Sequence, residues 1–340
     1  MPDAAARTLH LPIARLFSAL AGLAVAAFLV LDHGWRDVLR ALQAAGWAAI
    51  GAITLFHALP TLLCGLAWWL VLRAHSDERW PIIAWLRWIR DGTDGLIPIG
   101  GEFIATRILS LRGVALGPAS LIVDLTAELL AQVMFAALGL VLLMATHPAS
   151  HYSLWFALGI GLMAVQFGGF LVAQRKGLFR VIDRPLDAIR NRPRSVQSRS
   201  DQTLHERVLA IYAHPRAFFG SIVLHLAAWV IGALEVWIGL RFMGRSLDVA
   251  ETLLLESLVT VIRSITFFVP LGVGIQEGSY VLVGALVGLP ADLALAVSLL
   301  KRARDVIKGV PALMQWQLVE IRESRRTRAD RRLVYPQEEV

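Results

Sequence analysis

FFVPLGVGIQEGSYVLVGALVGLP, Phe267 to Pro290, is apolar enough for a membrane interior. Yet it interrupts itself with Pro270, Gly272 and Gly274 and then places Glu277 where hydrocarbon would be expected. Proline removes a backbone N–H and glycine disfavours the helix by about 1 kcal/mol per position, so this run ends one helix before another begins. The backbone groups freed by such a break are tolerated in a membrane only where protein or trapped water satisfies them. Glu277 then falls in the first turn of the restarted helix, where the positive end of the helix dipole favours a carboxylate. Its role is either that of a helix-start acid or that of a group facing a polar cavity.

Working outward, a second stretch has the same character. DGTDGLIPIGGEF, Asp91 to Phe103, carries Pro98, Gly100 and Gly101 around an apolar tip, followed by Glu102 and Arg107. It reads either as a second broken element or as a hairpin lying flat at the interface with Trp80, Trp85 and Trp88 as belt residues. Six other runs reach the roughly 20 residues needed to cross a hydrocarbon core of about 30 Å. They are Ile13 to Leu31, Trp47 to Leu72, Gly117 to Ala145, Tyr152 to Ala173, Phe218 to Phe242 and Pro290 to Val310. The 340 residues, 56% hydrophobic and 17% charged, thus predict an all-α, polytopic integral membrane protein with six full crossings and two broken re-entrant elements. One membrane domain covers 1–340, with a first half 1–174, a basic loop 175–217, a second half 218–318 and a basic tail 319–340. Arg7 and Arg15 precede the first run, and AVA at 24–26 has the form of a cleavage site. Apolarity continues to Leu31, so an uncleaved first helix is expected.

Charge placement sets the orientation. The formal charge is +7, from 33 Lys and Arg against 26 Asp and Glu, but the excess sits in the loop from Gln174 to Ala217 and in the tail. Anionic lipid headgroups suit these arginines better than nucleic acid does. Both segments are expected in the cytoplasm, as is the N-terminus, while the connections 146–151 and 244–250 suit the other side. This arithmetic closes only if each broken segment returns to the side it came from, the two entering from opposite faces. That is the trace of an inverted repeat. GGEFIATRILSLRG (100–113) and IQEGSYVLVGALVG (275–288) support it, each with a Glu followed eleven residues later by a Gly.

An ionised side chain at mid-membrane costs about 2.5–3.5 kcal/mol on the insertion scale, so such residues need partners. Asp124, Glu128 and Gln132 fall at i, i+4 and i+8 on one helical face, either a polar packing seam or part of a substrate path. Lys301, Arg304, Asp305 and Lys308 share a face of the last run, with Arg302 pointing elsewhere. Asp124 and Glu128 are expected counter-charges for Lys301 and Arg304; the alternative is a positive-inside anchor at the membrane surface. Arg263 precedes the second break, and Gln276 and Glu277 follow it. Cys64, the single cysteine, excludes an intrachain disulfide and a cysteine metal cage. No metal-ligand spacing among the nine histidines, no phosphate loop, no nucleophile elbow and no dinucleotide fingerprint is found. No cofactor or metal is expected, and His57 and His225 read as hydrogen-bonded packing residues.

The opening stretch, with ALAVSLLKRARDVIKGVPALMQWQ after it and GGEFIATRILSLRGVALGPASLIVDLTAELLAQ before it, resembles hopanoid-biosynthesis-associated membrane proteins of the HpnL type. These fall within the lysylphosphatidylglycerol synthase transmembrane-region, or flippase-like, superfamily. The resemblance covers nearly the whole chain and is most specific from Arg263 to Trp316. The wider family commonly carries a PGGLGVxE type of segment where this chain has PLGVGIQE, with Leu271 in place of a glycine. The resemblance implies translocation or handling of a polar lipid, a hopanoid derivative among the candidates, in a bacterial inner membrane. Glu102, Arg107, Asp124, Glu128, Arg263, Gln276, Glu277, Lys301, Arg304 and Asp305 are the expected pathway residues. The chain ends about thirty residues beyond Pro311, so the soluble aminoacyl-transfer domain of the bifunctional relatives, and hence synthase activity, is not expected. Membrane lipids are the expected partner. The alternatives are a scaffold binding lipid-biosynthetic enzymes through the basic loop and, ranked last, an intramembrane lipid-modifying enzyme with Asp124 and Glu128 as acid and base.

Overall fold

A computed structural model describes residues 35–97, 100–114, 116–148, 150–175, 203–266, 269 and 274–334. Every regular element among them is a helix: α1 (Trp35–Leu72), α2 (Trp80–Asp94), α3 (Gly100–Leu111), α4 (Gly117–Thr146), α5 (Tyr152–Arg175), α6 (Leu204–Tyr212), α7 (Pro215–Phe242), α8 (Val249–Ile265), α9 (Ile275–Leu286) and α10 (Ala291–Val334). The expected crossing Ile13 to Leu31, the break residues Pro98, Pro270 and Gly272, and most of the basic loop lie outside the described residues.

Four helical stretches are long and apolar enough to cross a membrane: Ala45–Leu72, Gly117–Thr146, Tyr152–Gln174 and Pro215–Phe242. Each matches one of the expected crossings. The left-handed backbone of Gly46 (φ 64°) kinks α1 and sets off the apolar stretch beginning at Trp47. The sixth run falls in α10, which continues through Pro311 to Val334. Its cluster Lys301, Arg302, Arg304, Asp305 and Lys308 keeps it out of the apolar class.

Both interrupted segments fold as helix, break, helix, and both turn back on themselves. At the ends of the first hairpin, Arg112 after α3 donates from Nε and Nη2 to the two carboxylate oxygens of Glu78 before α2, at 2.8 and 3.0 Å. At the ends of the second, Arg245 before α8 donates to the carbonyl of Gly288 after α9, at 3.4 Å. The returning helices α3 and α9 are 12 residues each. Both stop at a left-handed glycine, Gly113 (φ 77°) and Gly288 (φ 64°). In each the next residue reaches back five positions, Val114 N–H to the Leu109 carbonyl (3.0 Å) and Leu289 N–H to the Gly284 carbonyl (2.9 Å). This is the Schellman bond pattern, which requires a residue tolerant of positive φ. The Glu-to-Gly spacing of the two matched segments is therefore a helix of one length with one kind of cap.

Each hairpin sits in its own apolar cluster. Trp68, Leu86, Ile89, Ile108 and Leu121 surround the first, with Leu313 and Trp316 of α10 packed against them. Leu143, Leu240, Leu258, Tyr280 and Val297 surround the second. Along α4, Leu121 belongs to the first cluster and Ala136 to the second, with Asp124, Glu128 and Gln132 between. Along α10, Val297 belongs to the second cluster and Leu313 to the first, with Lys301 to Lys308 between. The polar residues thus form a belt between two apolar layers, spanned by both long helices. Close packing at glycines brings the layers together. A Cβ on Gly309 of α10 would lie 2.6 Å from the carbonyl oxygen of Gly92 in α2, and one on Gly139 of α4 would strike Ser257 of α8. Small residues at such crossings let helices approach where no hydrophobic effect drives them together.

Candidate functional site

The belt resolves into three groups of ion pairs. The first joins hairpin one to α4. Arg87 and Arg90, at i and i+3 of α2, present two guanidiniums to Asp124 and Glu128, at i and i+4 of α4. Arg87 Nη1 lies 3.3 Å from Asp124 Oδ2 and 3.0 Å from Glu128 Oε2, and its Nη2 lies 2.6 Å from Glu128 Oε1. Arg90 Nη1 and Nη2 donate to Asp124 Oδ2 and Glu128 Oε2, both at 3.0 Å. The fully buried His225 of α7 meets the other oxygen of Asp124 through Nε2 at 2.9 Å. Arg87 Nε is also 2.7 Å from Asp91 Oδ1, and Arg90 Nε is 3.4 Å from Glu102 Oε1. Multidentate guanidinium–carboxylate contacts of this kind are among the stronger charge-assisted bonds.

The second group joins hairpin two to α10. Lys301 donates to Glu256 Oε2 of α8 at 2.7 Å, and the Tyr280 hydroxyl of α9 donates to the other oxygen of Glu256. Glu277 is gripped twice. Its Oε2 accepts the Gly274 N–H at 2.8 Å, capping α9, and Arg302 pairs with both of its oxygens. Gln276 donates to Ser298 Oγ at 3.0 Å and to its carbonyl at 3.2 Å. The third group ties α1 and α7 to α10. Arg304 and His57 both pair with Glu235. Arg304 Nη2 reaches Asp305 Oδ1 at 2.8 Å, and Lys308 Nζ donates to His57 Nε2 at 3.0 Å.

These partners revise the expected pairing. Asp124 and Glu128 are neutralised by Arg87 and Arg90, while Lys301 and Arg304 have their own acids in Glu256 and Glu235. The reason is the register of the polar belt: α4 turns Asp124 and Glu128 to hairpin one, whereas the polar group it turns to hairpin two is Gln132, whose amide donates to Ser264 at 2.9 Å. Arg302 does point away from Lys301 and Arg304, and it finds Glu277 there. Arg107 sits apart from the belt, with a half-exposed side chain on Glu320 at 3.0 Å. Arg263 is exposed and forms no ion pair among the described residues. Glu102 lies at the start of α3 and Asp305 in the third group. Gly100, Gly101 and Gly274 flank the breaks as helix starts.

Five charged members of the belt were missed on sequence grounds: Arg87, Arg90, Asp91, Glu235 and Glu256. Glu235 carried the plainest signal, an acid inside the apolar run Phe218 to Phe242. Arg87 and Arg90 were masked by the tryptophans around them, which favoured an interfacial reading. Asp124, Glu128 and His225 each offer one ligand atom, all within 4.8 Å of one another. Two guanidiniums already occupy those carboxylates, so the donor set suits arginine better than a metal ion. The belt as a whole thus holds ion pairs between two apolar layers.

No curated protein matches the chain. The family described as the lysylphosphatidylglycerol synthase TM region matches residues 15–310, a span containing both hairpins and every pair of the belt, and the chain belongs to that family as a multi-pass membrane protein.

Proposed function

We propose that this protein translocates or handles a polar lipid in a bacterial cytoplasmic membrane, the headgroup passing through the charged belt while the acyl or polycyclic part stays in the bilayer. In this reading the two hairpins are re-entrant elements of an inverted repeat, entering from opposite faces, with both termini in the cytoplasm. A hopanoid derivative is one candidate lipid. The observation that carries the proposal is the belt itself, in which ion pairs connect each hairpin to a long helix. A buried ion pair rarely stabilises more than an apolar substitute of the same shape, so retaining so many suits a site that trades them. A zwitterionic or anionic headgroup can replace one partner with its own charge, which lowers the cost of crossing hydrocarbon. The family's name, a region of a lipid synthase, supports lipid as the substrate class.

Asp124 and Glu128, the pair that acid–base chemistry would use, are each held by two arginines, which favours transport over lipid modification. Reconstitution in liposomes with leaflet-labelled lipid tests the reading. The wild type is expected to redistribute the label, with the effect lost in Glu277→Gln and Lys301→Ala. An unchanged leaflet distribution for every polar lipid tried would sink it.

A further inference from the structure

The belt is not evenly charged. In the second and third groups Lys301, Arg302, Arg304 and Lys308 meet Glu235, Glu256, Glu277 and Asp305, four against four. Around hairpin one, Arg87 and Arg90 meet Asp91, Asp94, Glu102, Asp124 and Glu128, two against five. Three negative charges are left over if His225 is neutral, and two if it is charged. Such an excess inside a membrane is not tolerated as bare charge.

The surplus concentrates at the break. Asp94 ends α2, at the negative end of that helix, where a carboxylate is disfavoured. Its Oδ1 accepts the Gly101 N–H at 2.8 Å, so the carboxyl clasps the start of α3. Gly101 immediately precedes Glu102, so this clasp brings the Asp94 carboxyl to the first turn of α3, where Glu102 stands. Among the described residues, Glu102 Oε2 is buried and has no donor, and Glu102 Oε1 has only the 3.4 Å contact from Arg90. A third group is incomplete there too. Thr93 is fully buried, its hydroxyl has no partner among the described residues, and its methyl lies 3.2 Å from where a Cβ on Gly100 would sit. Among the described residues no other cation is turned to the pair. Arg87 and the remaining arms of Arg90 are committed to Asp91, Asp124 and Glu128. His225 of α7 faces Asp124, and on α10 Lys308 is turned to His57 beside Asp305.

We propose that Asp94 and Glu102 form a proton-binding site that closes the tip of hairpin one. The proton resides on Asp94 Oδ2 and is donated to Glu102 Oε2, supplying the hydrogen bond that this oxygen lacks. Two carboxyls in contact cannot both ionise without strong repulsion, so the shared proton removes one of the surplus charges. Glu102, with a side chain 23% exposed, is the route by which the proton leaves to water and returns. Loss of the proton sets two carboxylates against each other across the break and forces α2 and α3 apart at Gly101. If the lipid-transport reading holds, the site makes a proton the coupling ion; that consequence rests on the reading, whereas the site does not.

Infrared difference spectroscopy of the purified protein in lipid, between about pH 7 and about pH 10, tests it without reference to transport. The wild type is expected to show the carbonyl band of a protonated carboxylic acid at neutral pH that fades as the pH rises. Asp94→Asn/Glu102→Gln is expected to lose it, the asparagine oxygen still accepting the Gly101 N–H, and Glu277→Gln to keep it. A wild type without the band, or a band surviving the double replacement, overturns the proposal. Thermal stabilisation by sodium alongside a missing band would assign the surplus charge to a bound metal cation instead.

Discussion

Lys301 and Glu256 are each about one-tenth exposed and 2.7 Å apart, which makes their pair a sharp test of how the belt is held. Removing one partner leaves a buried charge, a loss of about 3–5 kcal/mol, while replacing both by groups of similar shape is far milder. Lys301→Met is therefore expected to lower the unfolding temperature in detergent markedly. Glu256→Gln in the same background is expected to recover most of the loss, because a glutamine oxygen still accepts from Tyr280. Strictly additive losses in the double-mutant cycle would contradict the pairing. The contrast is Arg107 with Glu320, half exposed at 53% and 35%. An ion pair in such a setting contributes about 0–1 kcal/mol, so Arg107→Ala is expected to unfold almost as the wild type does.

At the scale of elements, the shared cap of α3 and α9 makes the two hairpins comparable position by position. Gly113→Ala and Gly288→Ala place a Cβ on left-handed backbone, and each is expected to destabilise by about 1 kcal/mol or more. Gly161 of α5 has open space around it and ordinary helical backbone. Gly161→Ala is expected to be neutral or to stabilise by up to about 1 kcal/mol, and thermal unfolding of all three variants checks the pattern. The sequence made these elements legible because their causes are local. Apolar length marks the four crossings, Gly and Pro mark the two breaks, and the matched Glu and Gly mark the returning helices. Helical spacing also placed Asp124 and Glu128 on one face of α4. It could not name what that face meets, since Arg87 is 41 residues from Glu128 and Arg304 is 69 from Glu235. Periodicity tells which side of a helix is polar, whereas partner choice depends on how helices distant in sequence cross. Those crossings are set by contacts such as Gly92 against Gly309, which look like any other glycine until the fold is known.

For the whole molecule, the hairpin ends show which connections lie near one another. Glu78 and Arg112 hold the ends of hairpin one together, and the rings of His75 and His214, 4.9 Å apart, join that region to the connection between α6 and α7. Arg245 and Gly288 hold the ends of hairpin two together at the other end of α7. The proposed arrangement, in which the two hairpins return one to each face, predicts a definite accessibility map. Cys64, the single cysteine, is buried, so the unaltered chain supplies a quiet background for labelling. Ser76→Cys and Ser110→Cys, near the two ends of hairpin one, are expected to react with an impermeant thiol reagent from the same side of sealed vesicles. Arg245→Cys and Ala285→Cys, at the ends of hairpin two, are expected to react from the opposite side. Labelling of Ser76→Cys and Ser110→Cys from different sides would mean that hairpin one crosses the membrane. The proposed inverted repeat would then fall, because its two halves could no longer enter from opposite faces.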